Sequence, residues 1–325
     1  MADILDGHDP TAIERAAGLL RQGDLVVFPT ETVYGLGADA ANALAVARIF
    51  ELKKRPRFDP LIVHIGEKTW LQELVLRIPA AAEELMERFW PGPLTIILEK
   101  RETIPDIVTA GLPTVAIRMP SHPVALELIR AFGAPVAAPS ANPFGYVSPT
   151  RASHVAEMFK GKVPLILDGG AAAFGIESTI VSIRDGKVVA HRHGAVSIEE
   201  LERVVGPIRE KPAGGTPEAP GELPYHYAPH TRLVIVDSAD EITIGNSGFL
   251  AFGQPESPPK SRHLRVLSPR HDLREAAAHF FSHLIELDRE HVEVIYAERL
   301  PETGLGRAMM DRLNKASRRY AATHH

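Results

Sequence analysis

The stretch FPTETVYGLGADA, residues 28–40, concentrates groups that could do chemistry. An apolar run, Leu25–Phe28, stops at Pro29. It opens into the hydroxyls of Thr30 and Thr32, the carboxylate of Glu31, and a Gly-x-Gly at Gly35 and Gly37. Glycines after a buried strand let backbone amides approach an anion closely. A tight strand–helix turn would look similar, and no third glycine completes a dinucleotide fingerprint. KKRPRFDP, residues 53–60, sets four cations in five positions at a predicted helix end. Cations there complement the helix dipole, while arginine also suits forked phosphate contact. VAAPSANPFGYVSPT, residues 136–150, breaks from an apolar run into Ser140, Asn142 and Ser148. These are turn formers, or hydroxyl and amide groups offered to a nucleotide. TVAIRMP puts Arg118 inside an apolar strand, where its charge needs a partner in protein or ligand. GIESTIV carries Glu177, Ser178 and Thr179 into a strand. HRHG sets His191 and His193 on one strand face with no evident third ligand, so no metal site is expected.

These loops need elements to hold them. Apolar runs predict strands at Leu25–Phe28, Leu61–Ile65, Leu94–Glu99, Val115–Met119, Val136–Ala138, Leu165–Asp168, Thr179–Ile183 and Lys187–His191. Helical periodicity predicts helices over 11–22, 41–54 (capped by Asp39), 79–89, 123–132, 150–160 and 197–204. The irregular alternation implies a twisted mixed α/β sheet domain over 1–206. Residues 207–230 hold six prolines and no periodicity, a linker too long to be an idle loop. Beyond it, 231–325 reads as β-β-β-α-β-α, a smaller, Rossmann-like doubly wound domain.

The chain has 325 residues, 45% apolar and 24% charged, a net charge of −5 and no cysteine. That excludes disulfides, a catalytic thiol, zinc–thiolate sites and a polycation built to coat nucleic acid. No apolar run approaches the roughly 20 residues of a membrane span, and the acidic N-terminus is unlike a signal peptide. A cytoplasmic protein with no membrane partner is expected.

The ordered set PTETVYGLG, KKRP…DPLIVH, WPGPLT, VAIRMP, APSAN…SPT, IESTIV and HRHG, followed by YHYAPH and GLGRAMMDRLNKAS, resembles the YrdC/Sua5 family in its long, two-domain form. The resemblance covers nearly the whole chain. It implies an enzyme that makes threonylcarbamoyl-adenylate from L-threonine, bicarbonate and ATP, with Mg²⁺, and releases pyrophosphate. The product is handed to the machinery that threonylcarbamoylates adenosine 37 of tRNA, with weak tRNA contact possible. It further implies that Thr32, His64, Arg118, Ala138 and Ser178 surround threonine. Arg55, Asp59, Thr114, Ser140, Ser148 and Arg192 would hold ATP, with Tyr227 closing over the nucleotide from the linker. Lys53 and Arg55 with Ser140 and Asn142 match the family's Lys-x-Arg and Ser-x-Asn pairs and are expected to act in catalysis. Relatives commonly carry Asn where Asp59 stands, and a carboxylate there would repel phosphates. Arg55→Ala is expected to remove pyrophosphate release and spare the fold. Two other readings stay open: an RNA-binding module using a basic patch at Lys53–Arg57, and a carbamoyltransferase with a different acceptor.

Overall fold

The computed structural model describes residues 3–321 except 213, 215, 216, 224 and 225, so Tyr225 of YHYAPH lies outside the described residues. Among the described residues, eleven strands form one mixed sheet. Across it lie, in order, Asp3–Asp6, Leu165–Asp168, Val26–Phe28, Gly35–Asp39, Val136–Ala137, Ile62–His64, Thr114–Arg118, Leu94–Glu99, Thr179–Arg184, Lys187–Arg192 and Arg209–Glu210. Ile62–His64 runs parallel to Thr114–Arg118, and Leu94–Glu99 parallel to Thr179–Arg184. Thr114–Arg118 and Leu94–Glu99 are antiparallel. Because these strands are buried, most read as continuous apolar runs rather than alternating ones.

Three local expectations change. The Gly-x-Gly is not an anion cradle: Gly35–Asp39 is a strand, antiparallel to Val26–Phe28. Its glycines make room, since a Cβ on Gly37 would stand 2.7 Å from the Phe28 ring and 2.9 Å from Val136. The next helix is Ala43–Lys53, and its cap is Asn42, whose side chain accepts from the amides of Leu44 and Ala45. Asp39 accepts from Ala41 instead, just short of the helix. The N-terminal strand Asp3–Asp6, too short and polar to signal itself, pairs in parallel with Leu165–Asp168. Helix Ile198–Val205 begins with a capping box, Ser197 with Glu200.

The C-terminal unit is a four-stranded, all-parallel sheet in the order Arg232–Val236, Val294–Glu298, Ser247–Ala251, His263–Val266. Its two long helices, Leu273–Arg289 and Leu305–Ala321, bury Leu233, Leu250 and Ile295 on one face. The other face, with Val236, Phe249 and Val294, is closed by Ile242 after a short 3-10 turn at Ala239–Glu241. The two units share a core: Val33, Val147, Ile176 and Ala195 of the large unit pack with Phe280, Phe281 and Met309 of the small one. No helix among the described residues is long and apolar enough to cross a membrane.

Candidate active site

A cleft opens where one face of the large sheet meets the loops at its strand ends. Ile62 and His64, two apart and so on the same face, line it with Arg118, and the loop Thr30–Gly35 folds over them. Pro220, Gly221, His226 and Tyr227 of the linker line it from above. Ala219 packs on Ile62, Ile97, Ala116 and Ile180 of that sheet face, which seats the linker. Glu222 pins it further, accepting from Lys211 Nζ at 2.7 Å and meeting His191 Nδ1 at 2.8 Å. The two histidines of HRHG thus go to Glu222 and, for His193, to Glu210 at 3.4 Å.

Thr32, His64, Arg118, Ala138 and Ser178 all line the cleft. Arg118 Nη1 donates to Thr32 Oγ1 at 2.8 Å, and its Nη2 pairs with Glu31 at 2.6 Å. Both groups are buried, so Glu31 compensates a charge that the strand could not otherwise hold. Burial first, and then the charge of Arg118, drops the His64 pKa to about 3. His64 is therefore neutral at physiological pH and a weak base, with its Nδ1 unpartnered. The Ser178 hydroxyl meets Thr95 Oγ1 at 2.8 Å.

Arg55, Ser140, Arg192 and Tyr227 line the same cleft. Arg192 donates to Ser178 O from Nε at 3.1 Å and from Nη2 at 2.9 Å, and to Pro220 O at 3.1 Å. Arg55 donates to the carbonyls of Asp59 at 3.0 Å and Pro60 at 2.8 Å, and pairs with the Asp59 carboxylate at 2.9 Å. Tyr227 sits at a positive φ of 64°, and burial, followed by the charge of Glu177, pushes its pKa up to about 12.

Five expected contact residues stand elsewhere. Lys53 is fully buried behind the cleft, where its ammonium donates to Ser140 O at 2.5 Å and to Asn142 O. The Lys-x-Arg and Ser-x-Asn pairs thus meet as a scaffold, because the lysine ties down the loop that presents Ser140. Burial beside Arg55 holds the Lys53 pKa well below its usual value. Asn142 lies in the same scaffold, its amide donating to the carbonyls of Pro143 and Tyr146. Asp59 faces Arg55, not the cavity; its burial raises its pKa against the pull of Arg55, Lys53 and Arg192. Ser148 gives its hydroxyl to Glu177 Oε1 at 2.6 Å. Thr114 begins its strand four residues before Arg118 and lines a separate cavity with Ser182, Arg184 and Glu218. With Lys53 and Arg55 buried, only Lys54 and Arg57 of the basic run are exposed, so the concave basic patch for RNA is not formed.

Sequence reasoning noted Glu177 within GIESTIV but gave it no role in the cleft it lines, and gave none to Arg312. Arg312 carried a signal: it falls on the buried stripe of its helix with Ala308, Met309 and Leu313, where a charge demands a partner. Its partners are the buried Glu177, at 3.1 Å, and the neighbouring Asp311, also at 3.1 Å. HRHG also ends in glycine for a steric reason. A Cβ on Gly194 would lie 2.4 Å from the backbone of Glu177, Ser178 and Thr179. Gly194→Ala should therefore shift the strip that orients Arg192, costing about 1–3 kcal/mol of stability, read as a lower melting temperature together with weaker turnover. An alanine variant melting like the unaltered chain would refute this account of the glycine.

Residues 18–194 match the Sua5/YciO/YrdC family, described as "Telomere recombination", and residues 196–318 match "Threonylcarbamoyl-AMP synthase, C-terminal domain". The chain is 44% identical over 322 residues to the threonylcarbamoyl-AMP synthase of Pyrococcus abyssi, covering 94% of each. It is 42% identical over 332 residues to that of Bacillus subtilis, covering 98% of this chain and 96% of the relative. The crystal structure of P. abyssi Sua5 complexed with L-threonine superposes with a TM-score of 0.90 at 42% identity, over 98% of this chain and 97% of that one.

Proposed function

Since the chain belongs to the Sua5/YciO/YrdC family, we propose that it is a threonylcarbamoyl-AMP synthase that joins L-threonine, bicarbonate and ATP and releases pyrophosphate. The observation that carries this is one cleft whose lining holds both Arg118 with the hydroxyls of Thr32 and Ser178, read as a first end, and Arg55, Arg192 and Ser140, read as a second. The first end suits an α-amino acid: Arg118, held by Thr32 and Glu31, meets the carboxylate, with Ala138 and Ser178 around the rest. The second suits a polyphosphate. Residues 1–206 do the chemistry, 207–230 roof it, and 231–325 brace the roof.

The threonine amine condenses with bicarbonate to a carbamate, losing water. A carbamate oxygen then attacks the α-phosphorus, and pyrophosphate leaves with the Pα–O bond electrons. Both partners are anions, so the cleft's work is alignment and charge compensation. His64, neutral and weakly basic, positions rather than deprotonates. Mg²⁺ enters as part of the ATP substrate. Among the described residues Glu177 is the carboxylate lining the cleft, and its oxygens are taken by Ser148 and Arg312, so the phosphates and water would supply most of the metal's ligands. Closure of the site shields the carbamate and the adenylate from hydrolysis. The adenylate passes to the enzyme that transfers threonylcarbamoyl to adenosine 37 of tRNA, in the cytoplasm.

Pyrophosphate release measured with each amino acid, with and without bicarbonate, tests this. Release should need both L-threonine and bicarbonate. Serine, one methyl smaller, should be poorer by only about 1–3 kcal/mol in specificity. Release independent of bicarbonate would remove the carbamate and with it this reading.

A further inference from the structure

The C-terminal helix Leu305–Ala321 belongs to the small unit, yet Arg312 on it reaches the cleft of the large one. Its side chain is 1% exposed. Nε and Nη2 fork onto Glu177 Oε2 at 3.2 and 3.1 Å, Nη1 donates to His193 O at 2.6 Å, and the guanidinium lies 5.0 Å from the centre of the Tyr227 ring. One turn on, Lys315 donates to Gly221 O of the linker at 2.8 Å. Both Glu177 and Tyr227 line the cleft.

We propose that Arg312 is a positioning residue for ATP: it neutralises Glu177 beside Tyr227, so that the small unit completes the phosphate end of the cleft. The need is electrostatic. Glu177 is buried beside the place where the proposed function puts a polyanion, and an uncompensated carboxylate there repels phosphates and competes for Arg192. Fork contact by Arg312 commits the carboxylate and leaves Arg192 to its bonds with Ser178 and Pro220. Lysine could not supply both the fork and the stack over Tyr227.

This inference rests on ATP entering the cleft, so ATP affinity is measured by calorimetry alongside pyrophosphate release. Arg312→Met should weaken ATP binding by about tenfold or more and raise the KM for ATP to match, while leaving the KM for threonine within about twofold. Arg312→Lys should fall between. Adding Glu177→Gln to Arg312→Met should recover most of the lost ATP affinity, because the harm comes from the bare carboxylate; a merely structural arginine would not be rescued so. If Arg312→Met alone does not fold, the double variant is compared with Glu177→Gln. Removing the arginine in that background should cost less than about twofold in ATP affinity, and a larger loss overturns the proposal. Unchanged ATP affinity in Arg312→Met also overturns it. An unaltered chain that binds ATP but releases no pyrophosphate would sink the proposed activity and leave this test standing; one that binds no ATP would sink the reading itself.

Discussion

Arg55→Ala will melt at a markedly lower temperature than the unaltered chain, and adding Asp59→Asn will restore the stability without restoring pyrophosphate release. Asp59 is 0% exposed and its carboxylate pairs with Arg55 at 2.9 Å. Removing the arginine leaves a buried charge without its nearest partner, which costs about 3–5 kcal/mol. A domain is stable by only about 5–15 kcal/mol, so the single variant could lie close to unfolding. The sequence-based expectation that this change spares the fold did not reckon with this buried pair. Asparagine at 59 removes the charge and keeps the shape, so the double variant should fold. It still lacks the cation at the phosphate end, so turnover stays lost. The sign of the pH effect follows. Burial raises the Asp59 pKa above its unfolded value, and loss of Arg55, the largest opposing influence, raises it further. A carboxyl of this kind costs stability above its folded pKa and regains it as pH falls through that value. The melting temperature of Arg55→Ala should therefore recover in mildly acid buffer, while the double variant, lacking that carboxyl, should show no such recovery. Thermal melts across pH, paired with pyrophosphate assays, check both halves. A double variant that folds and turns over normally would show that Arg55 only braces Asp59.

What could be seen in the sequence, and what could not, divides along one physical line. Apolar runs gave the strands Val26–Phe28, Leu94–Glu99 and Thr179–Arg184 nearly to the residue, because a buried strand has no other composition to choose. The motifs also pointed to Thr32, His64, Arg55, Ser140, Ser178 and Arg192, which the fold brings to one cleft. Sequence does not say which member of a polar cluster faces the cavity and which stands behind it. Lys53 and Arg55 are two residues apart, yet one secures the Ser140 loop and the other lines the cleft. The divide comes from Lys54, which ends the helix in a left-handed turn (φ 52°) and re-aims the chain. Ser148 and Asn142 look like ligands by type, but their partners, Glu177 and the carbonyls of Pro143 and Tyr146, are set by tertiary contact. Gly35 and Gly37 mislead in the opposite way. Their signal is real but steric, answering to the Phe28 ring. Arg312 lies 135 positions from Glu177, and no local pattern joins the two.

A chain ending after Gly206 should fold, bind apolar dyes and release pyrophosphate at about a hundredth of the full rate or less, since misplacement of reacting groups by about 1 Å can cost that much. Folding is expected because the large unit carries its own cores. One, around Val63, Ile96, Ile117 and Leu85, and another, around Phe28, Leu128 and Leu165, are built from residues before 206. Dye binding is expected because Val33, Val147, Ile176 and Ala195 would lose Phe280, Phe281 and Met309 and face water. The loss of turnover has three sources on the same wall. Glu177 would lose Arg312, Arg192 would lose the Pro220 carbonyl, and the cleft would lose Tyr227 and His226 from its roof. These changes reach the amino-acid end through Ser178, which Arg192 holds, but Arg118 keeps Glu31 and Thr32. Threonine binding, followed by calorimetry, should therefore survive truncation far better than ATP binding. Equal loss of both would mean that the small unit holds up the whole cleft. Full turnover by the truncated chain would reduce the small unit and its linker to a tether.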